Sequence, residues 1–200
     1  LVTRRAARNV ARMTEATQKP DVPENIVLVG FMGSGKSTVG RMLARRLRFR
    51  FLDTDKLVEE RAHLRISEIF EKHGEADFRG RETAALTSLC GIRQHIIATG
   101  GGIVTVPENI PLLRSLGLVV LLTAEPDEIY RRVSRNSERP LLQVEDPRRR
   151  VLDLMASRQP SYEAAAHFRV DSTRLQHVDV TEKIVEEAHR FFHWPQSTRA

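Results

Sequence analysis

Short apolar runs alternate with stretches of helical spacing along most of the chain. Ile26-Val27-Leu28-Val29 is continuously apolar, and Val39 to Leu47 follows with apolar side chains at helical spacing. Arg50-Phe51-Leu52 reads as a second strand. Leu57 to Arg61 and Ile66 to Lys72 read as two helical pieces, and Ala84 to Cys90 as a third, with Gly91 placed to end it. Ile96-Ile97-Ala98 is a strand, and so is Leu118 to Leu122. Ile129 to Val133, Arg150 to Ser157 and Thr181 to Phe192 are helical. A strand that is apolar at every position belongs in a sheet covered on both faces. Strands alternating with helices predict an α/β fold, a parallel sheet wrapped by helices.

Length and composition narrow the class. The 200 residues suffice for one α/β domain. A composition of 40% hydrophobic and 29% charged residues is that of an ordinary globular protein. The single cysteine, Cys90, forms no internal disulfide and is expected as a buried helix residue. No apolar run approaches the roughly 20 residues of a membrane helix, and no secretory signal is visible. The expectation is a soluble, cytoplasmic monomer without membrane or nucleic-acid partners. The seven histidines show no metal-ligand spacing.

The formal net charge is +6. Residues 1–23 carry five basic and two acidic side chains, so half the excess sits in this segment. It reads as a flexible extension, a solvated tail rather than a targeting or nucleic-acid-binding arm. Residues 24–194 read as the folded domain and 195–200 as a short tail. The remaining positive bias suits a site for polyanions.

The sharpest chemical feature is Gly30-Phe31-Met32-Gly33-Ser34-Gly35-Lys36-Ser37. It matches G-x-x-x-x-G-K-[ST] in full, after a buried strand and before an amphipathic helix. Such a loop lets backbone N–H groups curl around phosphate oxygens, at the positive end of the following helix dipole. Gly33, Ser34, Gly35, Lys36, Ser37 and Thr38 are therefore candidates for ATP. Lys36 reaches the β- and γ-phosphates, and the Ser37 hydroxyl is placed for Mg²⁺. GTPases, motor ATPases and small-molecule kinases share this loop, so it does not choose the reaction.

Asp53-Thr54-Asp55 follows the second strand. Residues two apart on an extended segment point the same way, so both carboxylates are expected to face the crevice at the strand's carboxyl end. One would then hold Mg²⁺ through water, and the other would accept hydrogen bonds, or a proton, from an attacking hydroxyl.

Four further motifs follow in order: Phe78-Arg79-Gly80-Arg81-Glu82, Gly100-Gly101-Gly102, Arg139-Pro140-Leu141-Leu142, and Arg158 within Met155 to Tyr162. With the phosphate loop and Asp53-Thr54-Asp55, they make residues 25–192 resemble the shikimate kinase family. The resemblance implies a three-layer P-loop kinase fold: a five-stranded parallel sheet, a helical substrate-binding segment at about residues 55–83, and a mobile lid at about 136–147. It also implies roles. Arg79 and Arg158 match the two arginines that grip the carboxylate of shikimate, as guanidinium forks do. Asp55 matches the aspartate on the ring hydroxyls, and Asp53 the one on the metal side. Gly101 matches a substrate-contacting glycine, and Gly100 and Gly102 would let substrate approach the backbone. Glu82, one turn after Arg79, would orient its guanidinium.

Arg139 would close with the lid onto the phosphates, while Arg132 matches an adenine-stacking arginine. The catalytic set expected is Lys36, Asp55 and Arg139, with ATP, shikimate and Mg²⁺ as ligands. Two rivals remain open. One is another small-molecule kinase, for gluconate or a nucleotide. The other is a non-catalytic ligand sensor on a kinase-like fold.

Overall fold

A computed structural model describes residues 22–134 and 144–195. Five strands form one sheet: β1 (Ile26–Val29), β2 (Arg50–Asp53), β3 (His95–Ala98), β4 (Leu118–Thr123) and β5 (Phe168–Asp171). Their order is β2-β3-β1-β4-β5, and every neighbouring pair is parallel. The helices are α1 (Lys36–Leu47), α2 (Thr54–Ala62), α3 (Ile66–Thr87), α4 (Asn109–Leu116), α5 (Pro126–Val133), α6 (Pro147–Ala165) and α7 (His177–Phe191).

The continuous apolar runs are explained by cover on both faces. Ile26 and Leu28 of β1 point to one side, where they join Val39 and Leu43 of α1 and Ile184 and Ala188 of α7. Val27 and Val29 point to the other, against Leu86 of α3, Leu113 of α4 and Tyr162 of α6. All four β1 side chains are fully buried. Phe192 and Trp194 stack and hold the end of α7 onto the first layer.

Several sequence expectations need correction. The helical piece at Ala84–Cys90 is the end of the long α3, which stops at Thr87. Cys90 lies in the turn beyond it and is exposed, so it is not a buried helix residue. Gly74, at φ 80°, breaks α3 into two legs, and the second leg carries Arg79 and Glu82. Two elements escaped the pattern. β5 is a four-residue edge strand with one buried side chain, too short to show a period. The pattern of α4 follows a buried polar start, where Asn109 Nδ2 donates to the Ile103 carbonyl at 2.9 Å.

The sheet order reverses at β1, between β3 and β4. In parallel sheets a crevice opens at the carboxyl ends of the strands at such a switch point. The phosphate loop leaves β1 there, and the ends of β2 and β3 deliver Asp53 and Gly100 beside it.

Candidate active site

The loop from Gly30 to Gly35 is shaped by its neighbours. Gly30 takes φ +141°, and a Cβ there would meet the Leu122 carbonyl oxygen at 2.2 Å. No other residue fits where the loop crosses β4. Lys36 begins α1 and is almost buried. Its Nζ donates to the carbonyls of Gly30 and Phe31 at 2.8 and 2.9 Å. Ser37 Oγ donates to Asp53 Oδ2 at 3.0 Å.

A cavity of about 420 Å³ opens over this loop. Gly33, Gly35, Lys36, Ser37 and Thr38 line it on one side, and Asp53, Asp55 and Gly101 on the other. Ser34 lies beneath the loop, buried. Arg132 closes one wall, with Nη1 on the Gly33 carbonyl at 3.1 Å and Nε on Glu128 at 2.6 Å. That places Arg132 at the phosphate-loop end of the cavity. Arg139 and most of the expected lid fall outside the described residues. The last expected lid residue, Pro147, is the first of α6, whose start Asp146 caps by accepting from the Arg149 N–H at 2.9 Å.

Asp53 and Asp55 meet the cavity together, but not as an extended pair. Asp53 ends β2 and caps α2, accepting from the Asp55 N–H at 3.1 Å, while Asp55 sits in the first helical turn. A side-chain cap satisfies an otherwise orphaned helical N–H, so the chain turns helical at Thr54, three residues before the expected start at Leu57.

Beyond Asp55 the cluster changes character. Arg79 and Arg158, 79 residues apart in the chain, converge on the glycine turn after β3. Arg79 Nη1 pairs with Glu82 at 2.5 Å and Nη2 with Glu75 at 2.7 Å. Burial disfavours the Arg79 charge, yet Glu82 and Glu75 outweigh this and hold the guanidinium above its ordinary value. Arg158 is 5% exposed. Its Nη1 donates to the Gly101 carbonyl at 3.0 Å, and its guanidinium lies over the Phe31 ring, 5.7 Å from the centroid. Among the described residues no carboxylate forms an ion pair with Arg158. Burial, and secondarily the charge of Arg79, push its pKa down from the usual arginine value. Among the described residues this buried cation meets a carbonyl, the Tyr162 hydroxyl and a ring face but no carboxylate, and such a cation calls for an anion.

The glycine turn also makes room for the protein's own side chains. A Cβ on Gly100 would meet Asp55 Oδ1 and Glu82 Oε1 at 2.4 Å, and one on Gly102 would meet Arg79 Nη1 at 2.2 Å. The protein's own polar side chains fill that space. The Gly100 N–H is also taken, donating to Thr54 Oγ1 at 3.1 Å.

Residue-type patterns missed several participants. Tyr162 donates its hydroxyl to the Gly101 carbonyl, beside Arg158, and burial pushes its pKa up to about 12. Thr99 and His177 line the phosphate cavity. Ser172 donates to the Ser34 carbonyl at 3.2 Å and braces the loop from β5. Only Tyr162 lay inside a motif, four residues after Arg158 and so on the same helix face.

A parallel α/β sheet with a phosphate loop at its switch point, facing one buried and one largely buried guanidinium group, defines a P-loop enzyme for small acidic substrates. The family model for shikimate kinase matches residues 32–189. The shikimate kinase of Caldanaerobacter subterraneus subsp. tengcongensis is 49% identical over 82% of this chain and 91% of its own. That of Geobacter sulfurreducens is 46% identical over 86% and 95%. Among solved structures, shikimate kinase from Acinetobacter baumannii in complex with shikimate superposes with a TM-score of 0.79. It is 41% identical and covers 84% of this chain and 93% of its own. A gluconokinase from Sinorhizobium meliloti superposes at 0.54 with 16% identity, which is a likeness of fold alone. The chain belongs to the shikimate kinase family.

Proposed function

We infer that the protein transfers the γ-phosphoryl group of ATP to the 3-hydroxyl of shikimate, giving shikimate 3-phosphate and ADP. One observation carries the choice of acceptor. Arg158 is buried without a carboxylate partner among the described residues, close to Arg79 and to the phosphate loop. A carboxylate fits between such forks, and a ring of this size then reaches Asp55.

Each residue has a task. The backbone from Gly33 to Thr38 cradles the phosphates, and Lys36 turns from its loop carbonyls toward them. Arg132 flanks the base, and Arg139, outside the described residues, is assigned to the phosphates as the family resemblance implies. Arg79 and Arg158 hold the carboxylate. Gly100, Gly101 and Gly102 form the turn against which the ring rests, and Glu82 keeps the Arg79 fork in plane. Asp55 accepts the hydrogen bond of the hydroxyl to be phosphorylated and orients it in line.

The site suits Mg²⁺. Ser37 and Asp53 are 3.0 Å apart on the phosphate side, an all-oxygen pair for a hard cation that keeps waters and binds phosphate. When bound there, the ion would neutralise charge on the transferring group. Among the described residues no helix is long and apolar enough to cross a membrane.

The test is coupled ATP turnover with shikimate, against gluconate and nucleoside monophosphates. Shikimate-dependent ADP release supports the reading. Faster turnover with a control substrate overturns it.

A further inference from the structure

Glu82 is the most deeply buried carboxyl of the site. It is 0% exposed, whereas the side chain of Glu75, the other partner of Arg79, is 51% exposed. Both terminal nitrogens of Arg79 are therefore already engaged by carboxylates before any substrate arrives. A third carboxylate docking on this fork must displace or share one of them. Glu75 can turn into water. Glu82 cannot leave, so its charge loses compensation in a buried place, where a carboxylate neutralises by binding a proton.

The free oxygen of Glu82 is prepared for that proton. Oε2 faces Arg79, whereas Oε1 is buried and has no hydrogen-bond partner among the described residues. Oε1 converges with Asp55 Oδ1 on the point where a Gly100 Cβ would stand, each 2.4 Å from it. Two carboxylate oxygens in such proximity repel. A proton on Glu82 replaces the repulsion with a hydrogen-bond donor.

We propose that Glu82 takes up a proton from solvent when an organic carboxylate docks on Arg79, so that substrate binding at this end of the site is coupled to proton uptake. This rests on the carboxylate reading of Arg79 and Arg158 given above. The groups facing Glu82 are consistent with it. On α3 this is Arg79, itself paired with Glu75, on α2 Asp55, and on α6 Arg158 and Tyr162. Burial first, and then the charge of Asp55, raise the Glu82 pKa to about 7 against the opposing pull of Arg79 and Arg158. Tyr162, pushed up to about 12 by burial, stays neutral there. An arriving anion raises the Glu82 value further. Below pH 7 the residue is already protonated and binding takes up little. Above pH 7 the free protein must gain a proton to bind, so affinity falls as pH rises. The substrate carboxylate, with a pKa of about 4, stays ionised throughout.

Calorimetric titration of shikimate at pH 7, in buffers of differing ionisation enthalpy, reads the proton count. Uptake of about half a proton is expected, with Kd rising up to about tenfold per pH unit above pH 7. Glu82→Gln keeps an oxygen for Arg79, and in it both the uptake and the pH slope should vanish. The methyl ester of shikimate, which brings no carboxylate, should bind without uptake to the unaltered protein. Shikimate binding with no buffer dependence and a flat pH profile in the unaltered protein overturns the proposal and leaves the substrate assignment standing. Equal uptake in Glu82→Gln also overturns it. Absence of shikimate binding in every buffer removes the substrate assignment and the proposal together.

Discussion

At the phosphate end of the crevice, Gly33 to Thr38 are six consecutive residues, and the backbone between β1 and α1 does the recognising. At the acid end, Asp55, Arg79, Glu82, Gly100 to Gly102 and Arg158 come from α2, α3, the turn after β3 and α6. There side chains do the recognising, and the glycines make room for them. The first end is local geometry that any sequence carrying the loop reproduces. The second exists only when four elements pack correctly. Substitutions at the phosphate end should therefore act on catalysis whatever the acceptor, whereas those around the two arginines of the acid end should act mainly on acceptor binding, with Asp55 between the two ends acting on turnover.

Four substitutions probe this contrast. Lys36→Met should lower kcat about 10³-fold, the upper range for one donor to developing charge, with the thermal midpoint little changed. Near-normal turnover would show that the loop backbone suffices. Asp55→Asn should lower kcat at least about 10²-fold while shikimate still binds. Parallel loss of binding and turnover would make Asp55 an anchor instead of an orienting group. Gly102→Ala drives a methyl group into the Arg79 guanidinium. It should raise the KM for shikimate at least about tenfold and spare the KM for ATP. Equal changes in both constants would erase the distinction between the two ends. Tyr162→Phe removes one hydrogen bond to the Gly101 carbonyl, which Arg158 also contacts. A net cost of about 1 kcal/mol predicts roughly a fivefold rise in the KM for shikimate.

The phosphate end was legible because its signal is contiguous. Gly30, Gly35, Lys36 and Ser37 stand at invariable spacings, and the apolar run before them marks the strand. The acid end was legible only through the resemblance of several motifs to one family. Even then the geometry differed. Asp53 and Asp55 were expected on an extended segment, but the Asp53 cap makes Asp55 helical. Gly100 and Gly102 were expected to let substrate approach the backbone, and the structure adds that Asp55, Glu82 and Arg79 pack where their Cβ atoms would stand. Thr99, Ser172 and His177 carry no spacing that distinguishes them from ordinary helix and loop residues, and Tyr162 offers only its place one turn after Arg158.

The sequence alone determined the α/β class, the nucleotide loop and the residue types needed for an acidic acceptor. Periodicity and short contiguous motifs are local, and local backbone preferences express them directly. Tertiary structure decided which of the two Arg79 partners is buried, that Arg158 has no carboxylate partner among the described residues, and that two carboxyl oxygens converge over Gly100. Burial and charge pairing depend on what packs from distant parts of the chain, and spacing along the chain does not encode them.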